Sequence, residues 1–441
     1  MAIEVIKPKV GVSAVCSPLE AGADRAPGAC EELSRALRDA GCEVVSLRPI
    51  GSADDAADAG RRLCEAHVDA VAVASVSWFE DYLLLDLIEE CPAPLLLWSL
   101  PGMETGALCG TQQLTWYLRR LEHPFHCLFG AMGQPRLIDD AMAFLRGASL
   151  ARRLRRARIG LGGCRVAGMT ETSVNEVAMK RSVGPRIVML DLPQLLKSAG
   201  QMPQAAAESQ WKAVVARAGS CGVSQVAGVD AMRFCAAVRE QIDRHRLSAL
   251  AIGCYPHLMG VPCLAASLLA DDGIPLGCEG DANGAVAQLM LTWLSGQPTH
   301  NTDWLDPMSD GSVVFTHCGS GSLSLAQRKE DVSLQSVRLM GQGVCALFPA
   351  RPGPVTLLNL TASGDGYQCA LLQGQAIPTT MVFPGNPLRV RFDQPTPRIM
   401  QWIHDEGLGH HWMAGYGHFA GEMRHWARIV GKGLRLVECP A

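Results

Sequence analysis

The sequence lacks several features that would assign it to a common class of protein. It contains 17 cysteines, yet none are spaced as C-x-x-C, so neither a structural zinc site nor an iron–sulfur cluster is predicted. No window reaches about 18 uninterrupted apolar residues, and the N-terminus has no apolar stretch typical of a secretion signal, so we expect no membrane span. The scattered cysteines are then expected to be reduced, mostly buried thiols of a cytoplasmic protein.

The charge pattern gives no indication of a nucleic-acid partner. The formal net charge is -4, and 19% of the residues are charged, without the block of Lys or Arg that such a partner requires. The densest basic run, residues 152–158, is typical of an exposed helix face or a linker. With 441 residues, 48% of them hydrophobic, the chain is expected to bury large cores in about two to four domains.

Three stretches differ in their pattern of predicted elements. In residues 1–155, and again in residues 156–298, short apolar strands alternate with amphipathic helices, which predicts parallel βαβ units. In residues 299–441, short strands are separated by Gly, Pro, Asn and Asp turns at about ten-residue spacing, which predicts a small antiparallel barrel or sandwich, closed by a helix over 418–430. The predicted fold class is α/β: two doubly wound parallel-sheet domains followed by a C-terminal antiparallel β-barrel-like domain.

Two carboxylates lie in a glycine-flanked turn of the second stretch, in the segment IPLGCEGDANG at 274–284. Glu279 and Asp281 follow a small, apolar run and precede a predicted helix, which is where α/β sheets bind ligands. A helix N-terminus also tolerates acids for structural reasons, because its first N–H groups lack partners. The pattern therefore leaves open that Asp281 is only a helix N-cap and Glu279 a solvated loop acid.

Further acids and histidines form three clusters in the third stretch: TDWLD at 302–306, FTHCG at 315–319 and GHHW at 409–412. Successive side chains of a strand point to opposite faces. One of the adjacent histidines, His410 or His411, is therefore predicted to face a site while the other supports it. Carboxylate and imidazole donors without a thiolate motif favour Mn²⁺, Mg²⁺ or a similar divalent ion.

Over most of its length the chain resembles the L-fucose isomerase / L-arabinose isomerase family. The most specific part is PCLAASLLADDGIPLGCEGDANGA at 262–285, which is similar to the family's succession of a small-residue helix, GIP, CEGD and a second small-residue helix. His-Cys-Gly at 317–319 and HHWMAGYGHFAGEM at 410–423 are similar to the family in order and spacing. The resemblance implies two doubly wound domains and a β-barrel-like domain, in agreement with the pattern above.

The resemblance also implies an aldose–ketose isomerase that binds a divalent cation, usually Mn²⁺, with Mg²⁺ or Co²⁺ as alternatives. Fucose-type members hold the cation with a Glu, an Asp and a C-terminal His. The Glu matches Glu279, and the Asp matches Asp303, with Asp306 as its rival. Both Glu279 and Asp303 are then expected to be metal ligands and the catalytic acid/base pair.

The histidine ligand matches His411, with His410 as its rival. Arabinose-type members use a further histidine, for which His317 is the available match. Whether His317 joins the metal ligands, and which of the rival pairs is correct, stays open at the level of sequence.

The function predicted is a metal-dependent isomerisation of a small sugar through a cis-enediol(ate) intermediate. An epimerase or lyase that acts on a sugar or sugar acid needs the same residues, and two α/β domains also suit a non-catalytic sugar sensor. The sequence does not identify the sugar or whether it is phosphorylated; Arg165, Lys180 and Arg181 are the cations available to a neighbouring site. Three tryptophans are candidates to contact the sugar: Trp98, Trp304 and Trp412.

The apolar, aromatic-rich segment Leu95 to Leu128 is larger than a single core requires. Members of the family are trimers or hexamers with active sites near subunit boundaries. We therefore expect a homo-oligomer in which this segment lies near a neighbour's site, with a sugar as the only other partner.

Overall fold

The computed structural model describes residues 3–440, and these divide into two units. The N-terminal unit contains residues 6–153 and 421–431, and the C-terminal unit contains residues 154–420 with the described residues nearest the two ends. The three domains with boundaries at 155 and 298 stay a prediction. None of the helices within residues 3–440 combines the length and the apolar character needed to cross a bilayer.

The N-terminal unit alternates strands and helices as predicted. Its elements are β1 (Lys9–Val15), α1 (Ala26–Asp39), β2 (Glu43–Ser46), α2 (Ala53–Glu65), β3 (Ala70–Ser75), α3 (Tyr82–Glu90), β4 (Leu95–Ser99), α4 (Ala107–Arg120), β5 (Phe125–Phe129) and α5 (Pro135–Arg156). The five strands form a parallel sheet in the order β2-β1-β3-β4-β5. This order reverses direction between β1 and β3, as in doubly wound folds.

Alternation along the strands supplies a core on each face of this sheet. In β3, Ala70, Ala72 and Ala74 pack into one cluster with residues of α1 and α5. Val71 and Val73 pack into another cluster with residues of α2, α3 and α4. Because neighbouring side chains of a strand point to opposite faces, the small and β-branched residues of β3 serve two different helix layers.

The C-terminal unit begins with a second parallel sheet. Its elements are β6 (Arg158–Gly162), α6 (Glu176–Ser182), β7 (Arg186–Leu190), α7 (Leu192–Ala199), α8 (Gln204–Val215), β8 (Ser220–Cys221), α9 (Gln225–His245), β9 (Ala249–Ile252), α10 (Cys263–Asp271), β10 (Leu276–Gly277) and α11 (Ala282–Ser295). The parallel strand order is β10-β9-β6-β7. β10 therefore delivers the chain to the CEGD turn at the carboxyl edge of this sheet.

The rest of the chain forms mainly antiparallel strands. These elements are β11 (His300–Pro307), β12 (Val313–Thr316), β13 (Ser333–Gln335), β14 (Cys345–Leu347), β15 (Gly353–Ser363), β16 (Gly366–Ile377), β17 (Leu388–Arg391), α12 (Thr396–Glu406), β18 (His411–Tyr416), α13 (Ala420–Val430) and β19 (Leu434–Glu438). Seven strands form one sheet in the order β15-β18-β11-β12-β17-β16-β19, with an additional pairing between β15 and β16. All its pairings are antiparallel except β16 with β19. The parallel sheets first and the antiparallel sheet last confirm that part of the predicted fold class, while a barrel stays a prediction.

Five elements of this region were not predicted, and one packs elsewhere than expected. The missed elements are the strands β11, β13, β18 and β19 and the helix α12. The predicted terminal helix begins at Ala420, and residues 421–431 group with the N-terminal unit instead of closing the antiparallel sheet. Gly147 of α5 allows this, because a Cβ there would lie 2.9 Å from the backbone nitrogen of Trp426.

Candidate metal centre

The turn that carries Glu279 lies between β10 and α11. Residues Cys278–Gly280 form a short 3-10 turn, in which Glu279 adopts the left-handed conformation, with φ 60° and ψ 20°. This conformation costs a non-glycine residue about 1 kcal/mol or more, so contacts of the surrounding structure must hold it. The Glu279 side chain is 19% exposed, which is too little for a solvated loop acid.

Asp281 has two roles, one of which the sequence predicted. It caps α11, where Oδ1 accepts a hydrogen bond from the Gly284 N–H at 2.8 Å. Its other oxygen, Oδ2, accepts a hydrogen bond from Nδ1–H of His411 at 2.8 Å. This bond fixes the proton on Nδ1 and turns Nε2 of His411 towards Glu279. The sequence could not show the second role, because the two residues are 130 positions apart.

Strand register brings the remaining residues together. On β11, Asp303 pairs with His411 of β18 on one side and with Thr316 of β12 on the other. Directly paired residues project from the same face of a sheet, so Asp303 and His411 face the same space. His317 follows Thr316 immediately and lies at the end of β12.

Four side chains converge at this point, and we call them the pocket cluster: Glu279, Asp303, His317 and His411. From His411 Nε2, the distance to Glu279 Oε2 is 3.2 Å and the distance to Asp303 Oδ1 is 3.6 Å. From His317 Nε2, the corresponding distances are 3.6 Å and 4.0 Å. The Asp303 side chain is 28% exposed, whereas both imidazoles are buried. The structure thus places the predicted acids, His411 and the alternate His317 in one site.

The acids of the cluster stabilise positive charge on the neighbouring imidazoles. Burial by itself would raise the pKa of the Glu279 carboxyl, but hydrogen bonds and positive charge from His317 and His411 hold that pKa below its usual range. Burial by itself would lower the pKa of His411, but hydrogen bonds to Asp281 and Glu279 raise it to about 10. Without a metal, the carboxylates are therefore neutralised by protons on the imidazoles.

The donors present fit a divalent cation. Asp303 Oδ1 is buried and has no hydrogen-bond partner among the described residues, which is costly unless another positive group satisfies it. Ligand atoms of Glu279, His317 and His411 all lie within 4.8 Å of one another. Carboxylate oxygens and imidazole nitrogens suit Mn²⁺, Co²⁺ or Mg²⁺.

Thiols adjoin the cluster on the side of His317. Its Nδ1 lies 3.0 Å from Cys318 Sγ, and Cys278, His317 and Cys318 also have ligand atoms within 4.8 Å of one another. A hydrogen bond with Cys263, and after it burial, raises the pKa of the Cys318 thiol. A neutral thiol beside Nδ1 leaves Nε2 of His317 directed at the two acids.

The two rival ligands are placed less favourably. His410 is exposed, and its Nδ1 lies 2.7 Å from Glu171 Oε1, although another grouping of ligand atoms within 4.8 Å does include it with Asp303 and His411. Asp306 is exposed and follows a register shift between Trp304 and Asp306. The irregular pairing separates Asp306 from the ladder position that gives Asp303 its contact with His411.

The three tryptophans that are candidates to contact the sugar all pack against other parts of the protein. Trp98 is fully buried in the N-terminal unit, where its Nε1–H donates to the Gly130 carbonyl at 2.9 Å. Trp412 is also fully buried. Trp304 stacks on Phe392, with ring centroids 6.0 Å apart. Full burial assigns Trp98 and Trp412 to packing, whereas contact of the half-buried Trp304 with a sugar stays a prediction.

A pocket opens next to the cluster. Its cavity volume is about 170 Å³, and it is open to solvent on one side. Its wall includes every member of the pocket cluster except His411, and also Tyr255, Arg338 and Phe383. Arg338 was not singled out by the sequence, since it stands outside every motif described above.

The three cations that the sequence offered to a neighbouring site are engaged with backbone carbonyl groups. Arg165 donates to the carbonyl of Val166. Lys180 donates to those of Arg155 and Gly184, and Arg181 to that of Asp365. None of the three lines the pocket described above.

The N-terminal unit contains a second set of histidines and an acid, which we call the helix cluster: His126, Asp140 and His425. Asp140 Oδ1 lies 3.0 Å from Nε2 of His126 and 3.5 Å from Nε2 of His425. Burial, aided by the charge of His126, lowers the pKa of His425 to about 4. Asp140 is 44% exposed, so its carboxylate also reaches solvent.

Comparison with known proteins gives relatives of one name. A search of protein-family models finds none that matches this chain. A sulfoquinovose isomerase from Priestia aryabhattai is 24% identical over 373 residues, which cover 79% of this chain and 81% of that protein. A sulfoquinovose isomerase from Alkalicoccus urumqiensis is 25% identical over 390 residues, which cover 85% and 86%. A third, from a Clostridium species, is 23% identical and covers 75% and 77%.

Proposed function

We propose that this protein is a metal-dependent aldose–ketose isomerase and that sulfoquinovose is its substrate. The observation that carries the proposal is the convergence of two carboxylates and two imidazoles beside an open pocket. The relatives support the reaction and the sugar, since the proteins that match most of this chain bear the name sulfoquinovose isomerase. The motif resemblance to fucose and arabinose isomerases points to the same reaction class.

Aldose–ketose isomerisation moves one proton between two neighbouring carbons and another between their oxygens. We assign these transfers to Glu279 and Asp303, the two acids that face the pocket. One carboxylate accepts the carbon-bound proton, which gives the cis-enediol(ate), and returns it to the adjacent carbon. The other carboxylate carries the hydroxyl proton.

The remaining residues of the cluster hold this pair in position. Glu279, Asp303 and His411 would hold the divalent cation, Mn²⁺ by preference, and His317 is near enough to join them. When bound, the cation stabilises negative charge as it develops on the sugar oxygens. Asp281 keeps His411 in one tautomer and one orientation.

The reaction product separates this proposal from its alternatives. Purified protein should be incubated with Mn²⁺ and a panel of aldoses and ketoses, including sulfoquinovose, glucose and glucose 6-phosphate, and the products separated by chromatography. We expect a ketose from sulfoquinovose. A C2 epimer or a cleavage product would assign the epimerase or lyase class, and binding without conversion would assign a sensor. If no aldose in the panel gives a ketose, the proposal is wrong.

We also propose a homo-oligomer, in keeping with the size of the apolar segment Leu95 to Leu128. On α4 and just after it, Trp116 is 60% exposed, Tyr117 39% and Leu121 53%. Neighbouring apolar side chains that remain exposed are typical of a surface covered by a partner. Light scattering should give the mass of an oligomer, trimer or hexamer, and a stable, active monomer would contradict this.

A further inference from the structure

Arg338 occupies the wall of the pocket without belonging to the pocket cluster. It follows β13 in an exposed loop, and its neighbours Val337 and Leu339 line the pocket with it. The carbon at the centre of its guanidinium lies 5.2 Å from the centroid of the Phe383 ring, which lines the same pocket. The aromatic face supports the planar group and leaves its N–H donors available.

The charge of Arg338 is not compensated by the protein. Within residues 3–440, no carboxylate forms an ion pair with it. Arg328, ten positions earlier, shows the usual alternative: it donates two hydrogen bonds to Asp331, at 3.0 Å and 2.6 Å. An unpaired guanidinium beside a pocket is the ordinary means by which proteins recognise an oxyanion.

The two kinds of charged group lie at different parts of the pocket. Glu279 and Asp303 lie at one part of its wall, and Arg338 places positive charge at another. The imidazoles, or the proposed cation, balance the charge of the two acids, whereas the charge of Arg338 is not balanced. An anionic group on the substrate is therefore attracted by the guanidinium. A sugar with one charged end then binds with that end at Arg338, which leaves the carbons that react free to lie at the acids.

We propose that Arg338 binds the terminal oxyanion of the sugar, a sulfonate, and selects charged over neutral aldoses. Sulfoquinovose is a glucose in which a sulfonate replaces the C6 hydroxyl, so its anionic end is remote from C1 and C2, where isomerisation occurs. The proposal rests on the proposed function for the identity of the sugar. A phosphate ester offers the same three-oxygen face, and the experiment below separates the two.

The test compares R338Q and R338K with the wild type, and uses R328Q as a charge-matched control outside the pocket. For sulfoquinovose we expect R338Q to raise KM about 10- to 100-fold, the effect of losing charge-assisted hydrogen bonds, while kcat changes by less than about threefold. R338K should recover part of the loss because it restores the charge, and R328Q should match the wild type. Because Arg338 is exposed, R338Q is expected to fold, which its melting temperature will verify.

Two further substrates define the specificity. Any turnover of glucose should be equal in wild type and R338Q, since glucose has no anionic group that Arg338 could bind. If the wild type prefers glucose 6-phosphate to sulfoquinovose and R338Q abolishes that preference, the site is assigned to phosphate esters and the sulfonate proposal is overturned. An unchanged KM for sulfoquinovose in R338Q, or an equal loss for glucose, also overturns it.

Calorimetric titration with sulfoquinovose distinguishes failure of this proposal from failure of the proposed function. If the wild type binds sulfoquinovose without converting it and R338Q does not bind it, the site stands while the isomerase assignment fails. If the wild type converts it and both proteins bind it equally, the isomerase assignment stands while the role of Arg338 fails.

Discussion

The pocket cluster and the helix cluster use the same kinds of side chain but hold charge in opposite ways. The pocket cluster, together with the adjacent Asp281, has three carboxylates around two imidazoles, and the pKa of His411 rises to about 10. In the helix cluster, one carboxylate is shared between two imidazoles, and the pKa of His425 falls to about 4, mainly through burial. The first arrangement therefore attracts cations, whereas the second keeps a buried imidazole neutral.

This contrast indicates which grouping is built for a metal. A cation that binds the pocket cluster must displace protons from the imidazoles. It then interacts with more carboxylate groups than imidazole groups, which favours its binding. In the helix cluster the only acid, Asp140, is 44% exposed and already shared by two hydrogen-bond donors. The two sites have similar distances between carboxylate and imidazole, and they differ mainly in the ratio of acids to imidazoles.

The largest effect is expected from removing the metal. Treatment with a chelator should abolish isomerase activity, and Mn²⁺ should restore it, because Glu279 and Asp303 then regain the cation beside which they act. His425→Gln should show the same loss and the same recovery as the wild type, since the helix cluster takes no part. Full activity in metal-free protein would show that the pocket cluster needs no metal, which would contradict the difference proposed between the two clusters.

The next largest effect concerns the two acids of the pocket. Glu279→Gln keeps size and one acceptor oxygen but removes the charge and the basic site, so turnover should fall by about 10²- to 10⁴-fold with the fold intact. Asp303→Asn should do the same. Steady-state kinetics with circular dichroism measures both effects, and near-normal turnover in Glu279→Gln would disprove the mechanism.

Asp306→Asn is the matched control for Asp303→Asn. Because Asp306 is exposed, its substitution should leave turnover almost unchanged and alter the free energy of unfolding by about ±0.5 kcal/mol or less. If Asp306→Asn is inactive and Asp303→Asn active, the second acid is Asp306 and the rest of the mechanism stands.

A smaller effect is expected at Asp281. Asp281→Asn preserves an N-cap for α11 but loses the charge that orients His411, so Mn²⁺ affinity should fall about 10- to 100-fold. Asp191→Asn is the control, because Asp191 caps α7 by accepting a hydrogen bond from Gln194 N–H and contacts no member of the pocket cluster. Equal Mn²⁺ affinity in both variants, measured by calorimetry, would reduce Asp281 to a helix cap.

The smallest effect is a pH dependence of stability from the helix cluster. The pKa of His425 is 6.5 when unfolded and about 4 when folded, so the unfolded state binds more protons between these values and stability falls as pH falls. Between pH 7 and pH 5 this loss should be on the order of 2 kcal/mol. His425→Gln should show a shallower pH dependence in urea unfolding, and the exposed His404→Gln should match the wild type.

A residual pH dependence is expected in His425→Gln, because burial also lowers the pKa of His300, to about 3. An unchanged slope in His425→Gln would mean that the helix cluster takes up protons as readily as a solvated histidine. The contrast between the two clusters would then be lost.

The sequence predicted what local patterns encode. Alternating apolar strands and helices predicted the parallel sheets, and short strands with turn residues predicted the antiparallel sheet. The strand β11 was missed because TDWLD is polar, and its backbone partners, β12 and β18, lie elsewhere in the chain. The strand forms because its neighbours pair with it, which local propensity cannot show.

The same limit applies to the site. Glu279 could be singled out from its glycine-flanked turn, and His411 from alternation within a strand, but both assignments to a metal stay predictions. The position of Arg338 could not be predicted, because the pocket it lines is assembled from loops far apart in sequence. The fully buried rings of Trp98 and Trp412 show the converse limit, since the sequence does not distinguish an aromatic residue of the core from one of a binding site.

Because Asp303 and His411 are paired across β11 and β18, cation binding depends on the correct register of these two strands. A shift of β11 by one residue against β18 would turn Asp303 to the opposite face while leaving the content of secondary structure intact. Circular dichroism would then look native, although the protein had lost its affinity for Mn²⁺. Since a bound ion stabilises only the arrangement that binds it, the metal would favour the native register of this sheet over a shifted one.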